Sequence, residues 1–144
     1  MRPAFQPTPD PTFSLMGIDV ALLADEHDTA GAWEAIHQSV SPGAGSPLHT
    51  ISGDKLFVVL DGELVLIIGD DEHVAGPGGT GFVPTGVAHR FENRSDREAR
   101  LLVVTSGAGH VRFLAGMADL GARGPADRDA VTAHAAAHGV ALLV

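Results

Sequence analysis

The chain of 144 residues contains no cysteine and only one lysine. No apolar run approaches the roughly 18 residues that a membrane-spanning helix needs. The absence of cysteine excludes disulfide scaffolds, cysteine-ligated zinc, iron–sulfur clusters and thiol catalysis. Positive charge is also scarce, with nine Lys and Arg against 18 Asp and Glu, and the net charge of −9 argues against nucleic-acid or anionic-membrane binding. The N-terminus does not resemble a signal peptide, so we expect a cytoplasmic protein.

The composition is that of a globular chain, with 44% hydrophobic and 19% charged residues. A chain of this length forms one domain, 1–144, and buries about 68–70% of its unfolded surface, so its core needs no covalent support. The sequence also contains 18 glycines and nine prolines. Such a frequency of turn-forming residues predicts many short strands.

The pattern of apolar residues predicts an antiparallel β-sandwich or barrel. A strand pair is expected around Gly17, and alternation at 32–40 predicts a half-buried strand. Further along, short β-rich runs are separated by Gly- and Asp-containing turns at spacings of roughly 8–12 residues. These runs are KLFVVL, ELVLII, TGFVP, HRFEN and RLLVVT.

The two ends of the chain differ from this barrel segment, which covers about 30–106. The first 12 residues contain four prolines and are expected to form an extended arm. Between about 109 and 139 the apolar spacing becomes helical and indicates two short helices, the second capped by Asp127 and ended by Gly139. We therefore predict an all-β fold, a β-barrel with two short C-terminal helices.

A motif of five fixed residues lies between Gly78 and Asn93. Pro84 and Gly86 predict a tight turn, and His89 begins the strand that follows. The spacing G-x5-P-x-G-x2-H-x3-N resembles the second conserved motif of the cupin family at every fixed position. The resemblance implies a cupin-type jelly-roll β-barrel.

The first cupin motif, G-x5-H-x-H-x3–4-E-x6-G, is only partly kept. Gly43 and Gly62 match its two glycines, and His49 matches its first histidine. Ile51 stands in place of the second histidine, and Lys55 stands in place of the glutamate. The chain is therefore similar to single-domain cupins such as quercetin dioxygenases and small polyketide cyclases, but with a degenerate metal site.

The resemblance implies a divalent metal, such as iron, nickel, manganese or zinc, held by the histidines and glutamate of the two motifs. Only His49 and His89 remain of that set, and two imidazoles make a poor site. An ammonium group in place of the carboxylate would repel the metal. His37 is the candidate third ligand, or a cavity-lining residue, if its strand turns that face inward; otherwise it is a partly exposed strand histidine.

Lys55 is the candidate that could replace the metal. If the family register holds, Lys55 and Phe57 point into the barrel beside His49 and His89. An amine in an apolar pocket has a lowered pKa and can act as a base, a proton donor or an oxyanion-binding group. Otherwise Lys55 extends to the barrel mouth and pairs with a neighbouring aspartate. The expected substrate-binding residues are His37, Ile51, Phe57, Phe82 and Phe91.

Three functions remain open at this point. The first is a metal-independent isomerase or cyclase that acts on an aromatic or polyketide-like molecule through Lys55, His49 and His89. The second is a metal-dependent dioxygenase with the two histidines as ligands, and the third is a non-catalytic ligand-binding barrel. A homodimer is expected. His110 belongs to no apparent constellation, and the pair His134 and His138 is expected to be a surface pair without a third ligand.

Overall fold

The computed structural model describes residues 10–124 and 127–143. The first strands in chain order are β1 (Phe13–Leu15), β2 (Ile18–Ala24), β3 (Trp33–Val40), β4 (His49–Thr50), β5 (Lys55–Asp61) and β6 (Leu64–Ile68). They are followed by β7 (Asp71–Ala75), β8 (Thr80–Val83), β9 (His89–Glu92), β10 (Ala99–Ser106), the helices α1 (His110–Ala122) and α2 (Arg128–Ala137), and β11 (Ala141–Leu142).

The strands form two antiparallel sheets that make a jelly-roll β-barrel. The first sheet has the order β1-β2-β3-β10-β5-β8, and the second has the order β11-β4-β9-β6-β7. Strands distant in sequence are neighbours in both sheets, as in the pairing of β3 with β10 and of β4 with β9. The predicted all-β barrel with two C-terminal helices is confirmed.

The strands predicted from apolar runs are present, and three further strands were not predicted. Met16 and Gly17, both with positive φ, form the turn of the expected β1–β2 hairpin. The sequence analysis did not identify β4, β7 or β11. The first and last of these have two residues each, too short for a period-two pattern to be read. The expected N-terminal arm lies mostly in residues 1–9, outside the described part of the chain.

The core lies between the inner faces of the two sheets. Alternate residues of β5 are buried, among them Phe57 and Val59, whereas Leu56 and Leu60 are exposed. The same alternation in β10 buries Leu101 with them in one apolar cluster. This is the pattern of a sheet with one face inside the barrel.

The two helices pack on each other and on the barrel. Helix α1 lies against β1 and β3, and its predicted apolar face carries Phe113, which is buried. The side chain of Asp127 accepts a hydrogen bond from the backbone N–H of Asp129 and caps α2 as predicted. His134 packs on α1 at Gly116, where a Cβ atom would lie only 2.1 Å from the imidazole ring. Neither helix has the length and apolarity needed to cross a membrane, and this holds for all residues described.

Asn93, the last residue of the second motif, ties the β9–β10 connection together. Its Nδ2 donates to the backbone oxygens of Val40 and Arg97, and its Oδ1 accepts from the N–H and the hydroxyl of Ser95. The side chain is completely buried.

We therefore expect Asn93→Ala to lower the free energy of unfolding by about 2–4 kcal/mol, because it removes four hydrogen bonds and leaves the buried carbonyl of Val40 with fewer partners. Urea denaturation measures the loss. Ser95→Ala is the control and should cost about 1 kcal/mol, since only the hydroxyl bonds are removed. Equal losses for the two variants would contradict a central role for Asn93.

Candidate functional site

A cavity of about 70 Å³ lies inside the barrel beneath α1. Its wall is mostly apolar and includes Phe57 and Phe91 from the sheets and Phe113, Leu114 and Met117 from the helix. The three helix residues are spaced i, i+1 and i+4, so they share the face of α1 that covers the barrel. The few polar side chains in this wall are therefore set in a low-dielectric environment.

Lys55 points into this cavity from the start of β5. Its side chain is only 3% exposed, and its inner-face neighbours across the sheet are Thr105 and Val83. No carboxylate of the described residues lies within 4.0 Å of its Nζ. Asp54, which could have paired with it, instead accepts hydrogen bonds from the N–H and hydroxyl of Thr85. The predicted register of Lys55 is confirmed.

Lys55 is hydrogen-bonded to His49. The Nζ–Nε2 distance is 3.2 Å, and the other ring nitrogen of His49, Nδ1, lies 2.7 Å from the carbonyl oxygen of Pro47. Because a carbonyl only accepts, Nδ1 carries the proton and Nε2 is free to accept from the amine. Burial lowers the pKa of Lys55 to about 7. Burial and then the charge of Lys55 lower the pKa of His49 to about 3.

His89 lies beside this pair on the neighbouring strand. Its ring centroid is 4.3 Å from that of His49, and the two residues face each other across β4 and β9. Its Nδ1 donates to the carbonyl of Val87 at 2.9 Å, which leaves Nε2 unprotonated, buried and without a partner. Burial, reinforced by the charge of Lys55, lowers its pKa to about 4. Both imidazoles are therefore neutral at pH 7.

The structure adds His110, a residue that the sequence analysis set aside. It is the first residue of α1 and lines the cavity, and its buried Nδ1 has no partner. Burial, with smaller effects of Lys55 and His49, holds its pKa well below the usual 6.5. The buried carboxylate of Glu34 accepts hydrogen bonds from the backbone N–H groups of His110 and Val111 and so fixes the start of the helix.

A sequence signal for His110 did exist. It precedes Phe113, Leu114 and Met117 by three, four and seven residues, so the cavity-facing stripe of the helix extends back to it. Periodicity also points to Gln38 in β3, where every second residue faces the same side of the sheet. Gln38 shares the inner face with the apolar residues of that strand and lines the cavity.

Three of the predicted substrate-binding residues do not line the cavity. His37 lies on the outer face of β3, because Gln38 and its alternate neighbours occupy the inner one. Phe82 is 58% exposed, since its neighbour Val83 takes the inward position on β8. Ile51 does not line the cavity but is buried in a second apolar cluster with Phe113. The expectations for His37, Ile51 and Phe82 as lining residues are therefore corrected.

The donor set does not fit the divalent metal that the resemblance implies. Only two imidazoles of the ligand positions remain, and Lys55 hydrogen-bonds to the Nε2 that one of them would offer to a metal. Within residues 10–124 and 127–143, no group of three or more His, Asp or Glu side chains is arranged to hold a metal ion. The ring centroids of His134 and His138 are 4.6 Å apart, but His134 Nε2 is hydrogen-bonded to the carbonyl of Phe113.

Comparisons with known proteins identify the fold and the relatives. A family model described as the cupin domain matches residues 36–105. The structure is similar to an RmlC-like cupin from Shewanella frigidimarina, with 19% identity, a TM-score of 0.66, and coverage of 76% of this chain and 93% of the other. The similarity to the polyketide cyclase RemF from Streptomyces resistomycificus has 25% identity, a TM-score of 0.62 and coverage of 74% and 79%.

A third similar structure is a sugar phosphate isomerase of the cupin superfamily from Silicibacter pomeroyi. The identity is 28% and the TM-score 0.57, and the alignment covers 65% of this chain and 61% of the isomerase. A search of curated proteins found no match to the sequence.

The lowered pKa values predict how stability depends on pH. His49 and His89 titrate near 3 and 4 when folded but near 6.5 when unfolded, so the unfolded state binds more protons between these values. The free energy of unfolding should therefore fall as pH decreases below 6.5, by roughly 1 kcal/mol per pH unit for each such group. Lys55 adds a second window, in which stability rises from pH 7 to about 10.5.

Lys55→Met tests the assignment of the upper window. We expect this variant to be more stable than the parent at pH 7 and to lose the rise between pH 7 and 10.5, because the buried amine is gone. Urea denaturation at a series of pH values measures both effects. A rise that persists unchanged in the variant would show that Lys55 is not the group responsible.

The metal-binding prediction reverses the two departures from the first motif. Ile51→His together with Lys55→Glu should restore three or four ligands and produce about one bound divalent metal per chain, measured by elemental analysis after metal loading and desalting. Ile51→His alone is the control and should bind less metal, because the amine remains. Equal metal content in the parent protein would contradict the misfit described above.

Proposed function

We propose that the chain is a member of the cupin superfamily and that, within this fold, it is a metal-independent enzyme that isomerises or cyclises a small hydrophobic carbonyl compound by proton transfer. The observation that carries this proposal is the Lys55 amine, buried in the wall of an apolar cavity at 3.2 Å from His49 Nε2. A buried cation without a carboxylate partner is costly for folding, and a function accounts for its presence.

Lys55 is suited to exchange protons at neutral pH. With a pKa of about 7, the amine and ammonium forms are both populated, which is the condition for efficient general acid–base catalysis. The neutral amine would remove a proton from the carbon next to a carbonyl. The ammonium would then donate to the enolate oxygen or stabilise its charge.

His49 would position Lys55 rather than take its proton. The pKa of about 3 for His49 lies about four units below that of Lys55, so transfer from the ammonium to this imidazole is strongly uphill. The hydrogen bond from Nζ instead fixes the direction of the amine. His89, with its pKa of about 4, is likewise a hydrogen-bond acceptor and not a proton donor at pH 7.

The size of the cavity limits the substrate that the closed structure can hold. A cavity of about 150 Å³ accommodates benzene in an engineered protein, about twice the volume present here. An aromatic substrate therefore requires movement of cavity-covering side chains on α1, such as Phe113 and Met117. Smaller ketones and hydroxyketones fit without this movement.

Two of the similar structures support the reaction class. One is a polyketide cyclase and the other a sugar phosphate isomerase, by their names. The similarity supports a small-molecule reaction within the barrel, and the replacement of a metal ligand by Lys55 is the reason to assign the proton transfer to the amine.

The test is exchange of the α-protons of a ketone such as butanone with deuterated solvent, followed by NMR. We expect the protein to accelerate this exchange, and Lys55→Met to lose about 10²–10⁴-fold of the acceleration. Lys55→Arg should lose as much, because a guanidinium keeps the charge but does not act as a base. Leu56→Met, on the outer face of the same strand, is the matched control.

Three outcomes would contradict the proposal. One is full activity of Lys55→Met, and another is no acceleration of exchange in any ketone tested. The third is activity that depends on added iron, nickel, manganese or zinc and is lost in His49→Ala, which would favour the metal-dependent dioxygenase. Retained activity in Lys55→Arg would limit the role of Lys55 to charge stabilisation.

A further inference from the structure

Unpartnered polar atoms are concentrated around the cavity. Among the described residues, five buried side-chain atoms have no hydrogen-bond partner. The four that belong to inward-facing residues near the cavity are Gln38 Oε1, His89 Nε2, Thr105 Oγ1 and His110 Nδ1. The fifth is Nε of Arg90, a half-buried residue whose guanidinium pairs with Glu92.

This concentration is unusual in energetic terms. The great majority of buried polar atoms in proteins are hydrogen-bonded, and each one left without a partner costs about 1–3 kcal/mol. Apolar side chains of similar shape would fill the same space without this cost. A set of such atoms around one cavity indicates that a bound molecule supplies the missing partners.

The chemistry of these atoms defines what that molecule must offer. Gln38 Oε1 accepts only, and His89 Nε2 is an acceptor because its Nδ1 donates to Val87. The one cation in the cavity wall is Lys55, and none of the arginines in the described part of the chain lines it. Acceptor atoms in an apolar wall favour a hydrogen-bond donor. The single amine of Lys55, which already donates to His49, can stabilise a transient enolate, but we expect it not to offset the burial of a permanent carboxylate or phosphate charge next to these acceptors.

We propose that the substrate of the proposed reaction is a neutral hydroxylated carbonyl compound, with one hydroxyl group that donates to Gln38 Oε1 and another that hydrogen-bonds to His110 Nδ1, and that phosphate esters and carboxylates are excluded. This inference rests on the proposed function and names the substrate class of the same cavity. The exclusion of phosphate esters distinguishes this chain from the sugar phosphate isomerase that has a similar fold.

The two recognition residues lie toward opposite ends of the cavity. The carboxylate of Glu34 accepts a hydrogen bond from the backbone N–H of His110. Glu34 in β3 and Lys55 in β5 are at the same level of the sheet, because both are paired with Thr105 of β10. Gln38 lies four residues further along β3, about 13 Å at the rise of an extended strand. A substrate long enough to reach both ends would contact both residues, whereas a small probe reports on one end at a time.

The experiment compares three small probes of nearly equal size by ligand-detected NMR titration. Hydroxyacetone carries a hydroxyl group, butanone replaces this hydroxyl by a methyl group, and pyruvate replaces the whole hydroxymethyl group by a carboxylate. We expect hydroxyacetone to bind at least tenfold more tightly than butanone, and pyruvate not to bind. The double variant Gln38→Leu, His110→Phe should remove this preference, and one of the two single variants should already do so, whereas Ser39→Ala on the outer face of β3 should retain it.

A second measurement does not depend on the probe. If the acceptors are kept for a ligand, Gln38→Leu should raise the melting temperature of the free protein, because an uncompensated buried group is removed. A lowered melting temperature would show that the amide serves the fold, for example through an internal water, and would overturn the proposal. Equal binding of hydroxyacetone and butanone, tight binding of pyruvate, or failure of hydroxyacetone to bind would do so as well.

The result is separable from the test of the proposed function. The hydroxyl preference is measured in Lys55→Met as well as in the parent protein. If the preference persists while Lys55→Met retains full proton exchange, the substrate class stands and the catalytic role of Lys55 fails. If the preference is absent while Lys55→Met is inactive, the reverse holds.

Discussion

The hydrogen bond between the Lys55 amine and His49 Nε2 is the interaction on which the rest of the site depends. An ammonium group inside an apolar barrel, with no carboxylate in reach, would be expelled or neutralised unless an acceptor were provided. Backbone carbonyls at Pro47 and Val87 hold the protons of both imidazoles on Nδ1, so that His49 and His89 present bare nitrogens. The two rings are neutral because burial disfavours their charged forms, and the charge of Lys55 adds to this effect.

The side chains at the positions that the family resemblance assigns to metal ligands do not form a complete ligand set. The strands that would bring two motifs of metal ligands together bring together two imidazoles and an amine instead, and the first of these imidazoles is occupied by the amine. The backbone that orients these side chains keeps the features expected from the two motifs, since the turn at Pro84 and Gly86 and the pairing of β4 with β9 are both present. Two side chains, Ile51 and Lys55, therefore distinguish this site from the ligand set that the resemblance implies.

Helix α1 completes the cavity and links it to the sheet. The carboxylate of Glu34 reaches from β3 to the first N–H groups of the helix, where the positive end of the helix dipole favours a negative charge. This contact sets the height of His110 and Phe113 above the barrel. Stability is lowered around the cavity, because polar atoms such as Gln38 Oε1 are buried there without hydrogen-bond partners. Sites of this kind commonly trade stability for function.

The sequence by itself determined the barrel, the two helices and the Asp127 cap, because these follow from local periodicity and from a motif with fixed spacing. It left Lys55 between the barrel interior and the barrel mouth, and the packed structure placed it inside. It did not determine which face of β3 is the inner one. His37 was therefore expected to line the cavity, whereas Gln38 does so in the structure. Only the tertiary structure decided this, since the pairing of β3 with β10 selects the face that is buried. The addition of His110 to the site had the same cause, because its place above the cavity depends on the packing of a helix against strands far away in the sequence.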